Sequence, residues 1–315
     1  MILFHSFIRI FALNTPENTI MARYKEYGYD IQDGKAIIPE WETEIKEEAF
    51  KGCGELISVE LPRWIKKIGH SAFCGCSSLT SIIIPPSVTK IEGAVFWGCS
   101  SLTNITIPPS VTEIGGASFA GCSSLTSITI PPSVTEIGLW LFLGCSSLTS
   151  ISIPPSVTEI WDSAFSHCSS LTSITVSKDN KVYDSRQDCN AIIHTESNTL
   201  IRGCKNTIIP PSVTEIDSLA FCHCSSLTNI TIPPSVREIG YAAFCGCSSL
   251  TNISIPESVT EIGDKAFWGC SSLTSISIPL SVTKIGRDAF LGCPSRPDKS
   301  LLRWLKRISL IFKHP

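Results

Sequence analysis

The chain has 315 residues, of which 43% are hydrophobic and 17% are charged, and its formal net charge is −3. This balance lacks the basic excess of proteins that bind nucleic acid or an anionic membrane surface, so we expect neither as a general partner. The unusual feature of the composition is its 15 cysteines, a number that is compatible with disulfides, with metal ligands or with unreactive thiols.

Residues 1–30 precede the regular part of the chain. The first residues read MILFHSFIRIFAL, an apolar stretch that His5 and Arg9 interrupt and that no small-residue cleavage site follows. It is therefore a poor secretion signal and is too short to span a bilayer. Met21 is an alternative first residue. From these residues alone, a cytoplasmic location is slightly favoured over a secreted or surface location.

From residue 31 to residue 293 the chain repeats a phrase of 23 residues. The clearest copy, at 125–147, reads LTSITIPPSVTEIGLWLFLGCSS. Numbered from its leucine, the phrase has apolar residues at positions 1, 4, 6, 10, 13, 17, 18 and 21. Self-similarity at such a period is typical of a solenoid, in which each coil buries its apolar side chains against its neighbours.

Each part of the phrase predicts a piece of one coil. LTSITI favours a short strand, because β-branched residues alternate there with polar ones. Prolines at positions 7 and 8 end this strand, and a second short extended piece follows at positions 10 to 13. The segment that ends in Phe-x-Gly-Cys predicts a helical or 3-10 turn closed by its glycine. We therefore predict an α/β solenoid of short parallel strands, with helical or 3-10 turns on the opposite side.

Position 18 carries a phenylalanine that should form the spine of the core. The predicted ladder consists of Phe73, Phe96, Phe119, Phe142, Phe165, Phe221, Phe244 and Phe267. Position 21 carries a cysteine in each of these copies, and we expect it to point inward as a small hydrophobic residue. Most of the cysteines are thus accounted for without reactive chemistry.

The pattern LxxIxIPxSVxxIGxxAFxGCxS resembles the leucine-rich repeats of the BspA-like family, which is named after a bacterial surface antigen. The resemblance covers about residues 37–293. It implies a right-handed, curved superhelix with parallel strands on its concave face. It also implies contact with host proteins or cell surfaces as the typical role, although one repeat framework can serve many partners.

The repeat is interrupted at about 177–207. Strand-like stretches at 190–194 and 199–202 flank a turn at 196–198, which predicts a β-hairpin that projects from the solenoid. Such an insertion either binds a partner or merely decorates the framework. Cys189 and Cys204 are equidistant from the turn and could form a disulfide if their side chains meet, but the odd cysteine count favours reduced thiols.

Residues 294–315 contain KSLLRWLKRISLIFKHP, in which apolar residues recur at helical spacing between lysines and arginines. This pattern predicts a basic amphipathic helix. It either covers the apolar edge of the last coil or binds a membrane surface or a partner.

Two sets of outward residues are candidates for partner binding. Positions 3 and 5 form an uncharged, hydroxyl-rich face that suits a protein or a glycan, orders water as an ice-binding surface does, or simply reflects the preference of exposed strands for serine and threonine. Its clearest members are Ser127, Thr129, Ser150, Ser152, Ser173 and Thr175. The second set, Trp97, Trp140, Trp161 and Trp268, either marks a partner surface or packs over the turn of the next coil.

No motif indicates catalysis, and we expect no enzyme activity and no cofactor. Cys-x-Cys pairs such as Cys222 and Cys224 resemble half of a zinc site, but positions 19 and 21 should face opposite ways, so we expect no metal. The sequence therefore favours a non-enzymatic protein-binding or adhesion module. The alternative is an intracellular scaffold or regulatory protein, and a glycan or ice-surface binder is a distant third.

Overall fold

The computed structural model describes residues 24–161 and 163–294. The N-terminal stretch before residue 24, with the alternative start at Met21, lies outside the described residues, and so does the predicted C-terminal helix beyond residue 294. The chain forms two compact units, residues 1–165 and residues 166–315, and each is described by itself.

The first unit is a stack of coils that contributes strands to two rows. The first row contains β1 (Asp30–Gln32), β2 (Lys35–Ile37), β4 (Ser58–Glu60), β6 (Ser81–Ile83), β8 (Asn104–Ile105), β10 (Ser127–Ile128) and β12 (Ser150–Ile153). The second row contains β3 (Glu44–Ile45), β5 (Lys67–Ile68), β7 (Lys90–Ile91), β9 (Glu113–Ile114), β11 (Glu136–Ile137) and β13 (Glu159–Ile160). Apart from the antiparallel pair β1 and β2, the paired strands are parallel and equivalent residues of successive coils face each other, for example Ser58 and Ser81.

The second unit has a similar arrangement after an irregular start. Its strands are β14 (Ser173–Val176), β15 (Tyr183–Asp184), β16 (Ala191–His194), β17 (Thr199–Gly203), β18 (Glu215–Ile216), β19 (Glu238–Ile239), β20 (Asn252–Ser254), β21 (Glu261–Ile262), β22 (Ser275–Ser277) and β23 (Lys284–Ile285). Parallel pairing of β18, β19, β21 and β23 continues at steps of one coil. The predicted parallel-strand solenoid is thus confirmed.

The apolar positions of the repeat form the core. In the coil at 125–147 all eight inward positions are at most 8% exposed. The phenylalanine rings of the first unit stack from Phe50 to Phe165, with ring centroids 5.3–5.8 Å apart. Those of the second unit stack from Phe221 to Phe290 at 5.0–5.3 Å. Tyr29 stacks on Phe50 at 5.6 Å and so extends the first ladder towards the N-terminal edge.

The expected helical or 3-10 turns opposite the strands are absent from the described coils, and this part of the fold prediction was wrong. Residues at positions 16 and 20 have left-handed backbone angles, for example φ of 56° at Ala94 and 73° at Gly98, which a continuous helix does not allow. The N–H groups of Ala94, Phe96 and Gly98 donate instead to carbonyls of the next coil, at 2.7–2.9 Å. Three-residue turn bonds, such as the one from Trp97 to Ala94, alternate with these contacts.

Helical geometry within the described part of the chain is confined to residues 24–26 and a 3-10 turn at Arg186–Asp188. None of the described helical segments has the length or the apolar character that crossing a membrane requires.

The cysteines at position 21 link successive coils through their thiols. The S–H of Cys122 donates to the carbonyl oxygen of Phe96 at 3.1 Å, and the S–H of Cys247 donates to that of Phe221 at 3.2 Å. Complete burial raises the pKa of the Cys122 thiol well above its usual range. The cysteine is therefore more than a small apolar filler, because its thiol adds a second hydrogen bond, from the neighbouring coil, to a carbonyl that already accepts the N–H of a turn, as that of Phe96 does from Cys99.

The hairpin of the insertion lies within the solenoid rather than projecting from it. Its strands β16 and β17 are antiparallel, and β17 also pairs in parallel with β18, so that Leu200 lies opposite Ile216. Ile192, Ile193 and Leu200 are fully buried. The backbone of Gly203 lies against the ring of Phe221, where an added Cβ would come within 2.1 Å of the ring. The hairpin thus replaces a coil at the start of the second phenylalanine ladder.

Position 12 forms a row of charged side chains along the second row of strands. In the first unit Lys90 pairs with Glu113 at 2.9 Å. In the second unit Glu215 lies opposite Glu238, which in turn lies opposite Glu261. Burial and the carboxylate of Glu238 raise the pKa of Glu215.

We expect Phe142→Ala to destabilise the protein by about 3–5 kcal/mol, because it empties a fully buried site between two stacked rings. Phe290→Ala, at a site that is 8% exposed and at the end of a ladder, should cost less. Urea denaturation of both variants measures the difference, and equal losses would contradict a core ladder with weaker ends.

Replacing Glu215 by Gln should stabilise the protein at neutral pH by on the order of 0.5 kcal/mol, the usual size for like charges opposite each other on neighbouring strands. Since the folded pKa of Glu215 is raised, stability decreases as the pH rises through that pKa, and the gain should disappear at acidic pH, where both states are protonated. Thermal melting between pH 4 and pH 8 tests this expectation. Glu113→Gln is the control and should be neutral or slightly destabilising, because that residue has a lysine partner.

Candidate functional site

The clearest candidate surface of the first unit is a row of hydroxyls on its first row of strands, which we call the hydroxyl row: Ser127, Thr129, Ser150 and Ser152, all of them exposed. Threonines at position 2 bind the backbone of the preceding coil, as Thr149 does through its bond to the carbonyl of Thr126 at 3.3 Å. In contrast, no described residue engages the side-chain hydroxyls of the row. These groups are therefore ordered by the strands and remain available to a ligand.

The two other predicted members of this face belong to the second unit. There Thr175 is exposed and Ser173 is half-buried, both on β14. In the first unit the row becomes apolar towards the N-terminal coils, where position 5 carries Ile37, 42% exposed, and Ile83, 75% exposed. The face therefore combines hydroxyls with apolar side chains.

The four predicted tryptophans do not form a common ladder, because they occupy three different repeat positions. Trp97 and Trp268 are at position 19, Trp140 at position 16 and Trp161 at position 14. Of these, Trp161 is 45% exposed, and the other three are half-buried. Trp268 packs against Cys222, Ala242 and Cys245, as the alternative of packing over the neighbouring coil anticipated.

Two exposed tryptophans were missed in the sequence. Trp41 is 79% exposed and Trp64 is 50% exposed. Both occupy position 9 of successive coils in the first unit, where regular copies have a serine such as Ser133 that bonds to the carbonyl of Val111. The guanidinium of Arg63 lies 4.3 Å from the ring centroid of Trp64. Alignment of the divergent first coils on the repeat positions would have found the pair.

A second group of chemically capable side chains lies in the second unit. Ligand atoms of Cys222, His223 and Cys245 all lie within 4.8 Å of one another. The two cysteines are buried, and His223 is half-buried. Cys224, at position 21, belongs to the main core cluster, while Cys222 packs with Cys245 in a separate cluster. The separate clusters of Cys222 and Cys224 agree with the expectation that positions 19 and 21 face different ways. That expectation did not consider that residues at position 19 of successive coils, such as Cys222 and Cys245, lie next to each other.

The protonation of these groups reflects burial and their mutual contacts. A hydrogen bond between the two thiols raises the pKa of Cys222 and lowers the pKa of Cys245. Burial lowers the pKa of His223 to about 4 and that of His167, whose ring stacks on His223, to about 3. Both imidazoles are therefore neutral at physiological pH.

The cysteines of the insertion are not joined. Cys189 and Cys204 are both free and buried. The S–H of Cys204 donates to the carbonyl of Asn190 at 3.4 Å, and that of Cys189 to the carbonyl of Ala191 at 3.8 Å. Burial raises the pKa of both thiols.

Comparison with known proteins identifies the repeat. Residues 43–172, 91–203 and 198–297 match the family described as BspA type leucine rich repeat region, in six copies. No curated protein matches the chain.

Several solved structures have the same fold. A leucine rich cell surface protein from Faecalibacterium prausnitzii is 35% identical, with a TM-score of 0.65, over 84% of this chain and 80% of that chain. The pneumococcal vaccine antigen PcpA is 25% identical, with a TM-score of 0.69, over 80% of this chain and only 65% of that chain. A leucine-rich repeat protein from Eubacterium ventriosum is 22% identical, with a TM-score of 0.53, over 86% of this chain and 94% of that chain, and shows the fold alone.

The repeat pattern, the parallel-strand coils and the matched residues agree, and the chain belongs to the BspA-type leucine-rich repeat family.

Proposed function

We propose that the protein is a non-enzymatic binding module of the adhesion type, which contacts another protein through the hydroxyl row of its first unit. The observation that carries this proposal is the exposure of Ser127, Ser150 and Ser152 on strands of the first row and of Thr129 just after β10, without hydrogen bonds from described residues. Because the strands already fix the positions of these groups, a partner gains hydrogen bonds without the cost of ordering a loop.

The N-terminal coils of the same unit supply the apolar contact that hydroxyls alone lack. Trp41, Trp64 and Ile83 are at least half exposed. Tryptophan is enriched at the energetic centres of protein interfaces, which is why these exposed side chains support a protein partner. The combination favours a protein partner over a nucleic acid or a bulk membrane surface.

The likeness to solved proteins supports an extracellular partner. One similar structure is named a cell surface protein, and another is named a vaccine antigen. We therefore propose that the partner is an extracellular protein or a host-cell surface component.

The hydroxyl row can be tested with a pair of matched substitutions in one coil. Thr129→Lys places a long charged side chain in the row, whereas Thr135→Lys places the same side chain at an exposed site outside it. We expect Thr129→Lys to weaken binding by about tenfold or more, as disruption in the middle of an interface does, and Thr135→Lys to leave it unchanged. The measurement is biolayer interferometry against purified extracellular matrix glycoproteins, together with flow cytometry of intact epithelial cells.

Trp64→Ser provides a second test, because it restores the residue that regular copies carry at position 9 and so should not disturb the fold. It should weaken binding without changing the melting temperature. Equal affinities of the Thr129 and Thr135 variants would refute the hydroxyl row as the contact surface. Loss of binding after enzymatic deglycosylation of the partner would identify a glycan, rather than a protein surface, as the ligand.

A further inference from the structure

We propose that Cys222, His223 and Cys245 form a binding site for a thiolate-preferring divalent metal, for which Zn²⁺ is the natural occupant. The three ligand atoms lie within 4.8 Å of one another. In a tetrahedral zinc site, bonds of about 2.3 Å to sulfur and about 2.0 Å to nitrogen place ligand atoms roughly 3.5–3.8 Å apart. Side-chain movements of about 1 Å are therefore sufficient to close the site, without any change in the backbone of the coils.

His223 occupies position 20, which in the other coils of the two phenylalanine ladders is glycine, except for His167. Position 20 of regular coils is a glycine with positive φ, as in Gly246 with φ of 69°. His223 adopts φ of 56° at this position, which costs a side-chain-bearing residue conformational free energy that glycine does not pay. A regular coil does not need an imidazole there, since glycine serves in the copies other than those of His167 and His223. Positive φ at non-glycine residues also recurs at position 16, for example at Ala94, so the change of residue at position 20, rather than the backbone angle, sets His223 apart.

The next coil leaves room for this imidazole beside Cys245. A Cβ added to Gly246 would come within 2.3 Å of Nδ1 of His223, so the ring occupies the space above a residue without a side chain. Gly246 directly follows Cys245 in the chain, which explains why the ring and that thiol are neighbours. The absence of a side chain at Gly246 is thus a condition for the cluster.

Two further residues hold the cluster in place. The ring of His167, the other histidine at position 20, stacks on that of His223 with centroids 3.6 Å apart. The buried guanidinium of Arg202 donates to the carbonyl oxygens of Leu219 at 2.9 Å and of Cys222 at 3.4 Å. Arg202 therefore fixes the backbone that carries the first cysteine.

Three protein ligands leave one coordination position for water or for a ligand from a partner. His223 is half-buried, so the cluster has a route to solvent while both cysteines are shielded from it. Two sulfurs and an imidazole favour Zn²⁺ over the oxygen-preferring ions Ca²⁺ and Mg²⁺.

The test uses the full-length, reduced protein and Co²⁺, which reports thiolate ligation by a near-ultraviolet charge-transfer band and tetrahedral geometry by visible bands. We expect one Co²⁺ per chain, displaced by Zn²⁺. Cys222→Ser and Cys245→Ser should abolish the charge-transfer band. His223→Gly, which restores the residue of the regular repeat, should keep the fold and weaken binding at least tenfold.

Cys74→Ser is the matched control. Cys74 is also at position 19 and also precedes a position-21 cysteine, but Gly75 follows it and the next coil carries Trp97 at position 19. This variant should bind Co²⁺ as the parent protein does. Zn²⁺ should also raise the melting temperature of the parent and of Cys74→Ser, and should raise that of His223→Gly less at the same concentration. Absence of the charge-transfer band in the parent, or its persistence in both cysteine variants, would overturn the proposal.

Discussion

The structure depends on hydrogen bonds that run from one coil to the next. In an ordinary helix the backbone satisfies its own polar groups, but the turns opposite the strands have left-handed residues at positions 16 and 20, which direct alternate N–H groups along the stack. A single coil therefore cannot provide hydrogen-bond partners for all of its backbone N–H groups. These groups can be buried without cost only when a neighbouring coil in register supplies the carbonyl acceptors. This requirement, together with the stacked phenylalanines, explains why the period of 23 residues varies so little along the chain.

Much of this fold is readable from the sequence, because the burial of a repeated position depends on a local pattern that recurs. The inward set from Leu125 to Cys145 follows from the spacing alone, and every member is buried. The turns were harder to predict, because Phe-x-Gly-Cys also matches a helix end. The glycine at position 20 indicates a positive φ, because glycine favours that conformation. The alanines at position 16, such as Ala94, also have positive φ, but their residue type does not indicate it.

In the candidate sites, too, some features could be predicted from the sequence and others could not. Exposure of Thr129 follows from strand alternation, and it was predicted. The proximity of Cys222 and Cys245 follows from a different rule, that residues one coil apart are neighbours, and a search within a single coil cannot find it. The contact between the rings of His223 and His167 could not be predicted from the sequence, because the insertion separates the two residues by more than one repeat. Its hairpin rejoins the sheet at β18, which only the pairing of strands can reveal.

The thiols at position 21 are buried and hydrogen-bonded, which limits their reactivity with oxidants. Within the coils, such a thiol donates to a carbonyl of the preceding coil, as Cys99 does to Phe73, and burial keeps the pKa of Cys99 well above the usual range. Thiols that are neither ionised nor accessible react slowly with oxidants and with other thiols. The buried thiols in the middle of each ladder are therefore shielded from oxidants, so that a high cysteine content in this fold does not by itself indicate a reducing compartment.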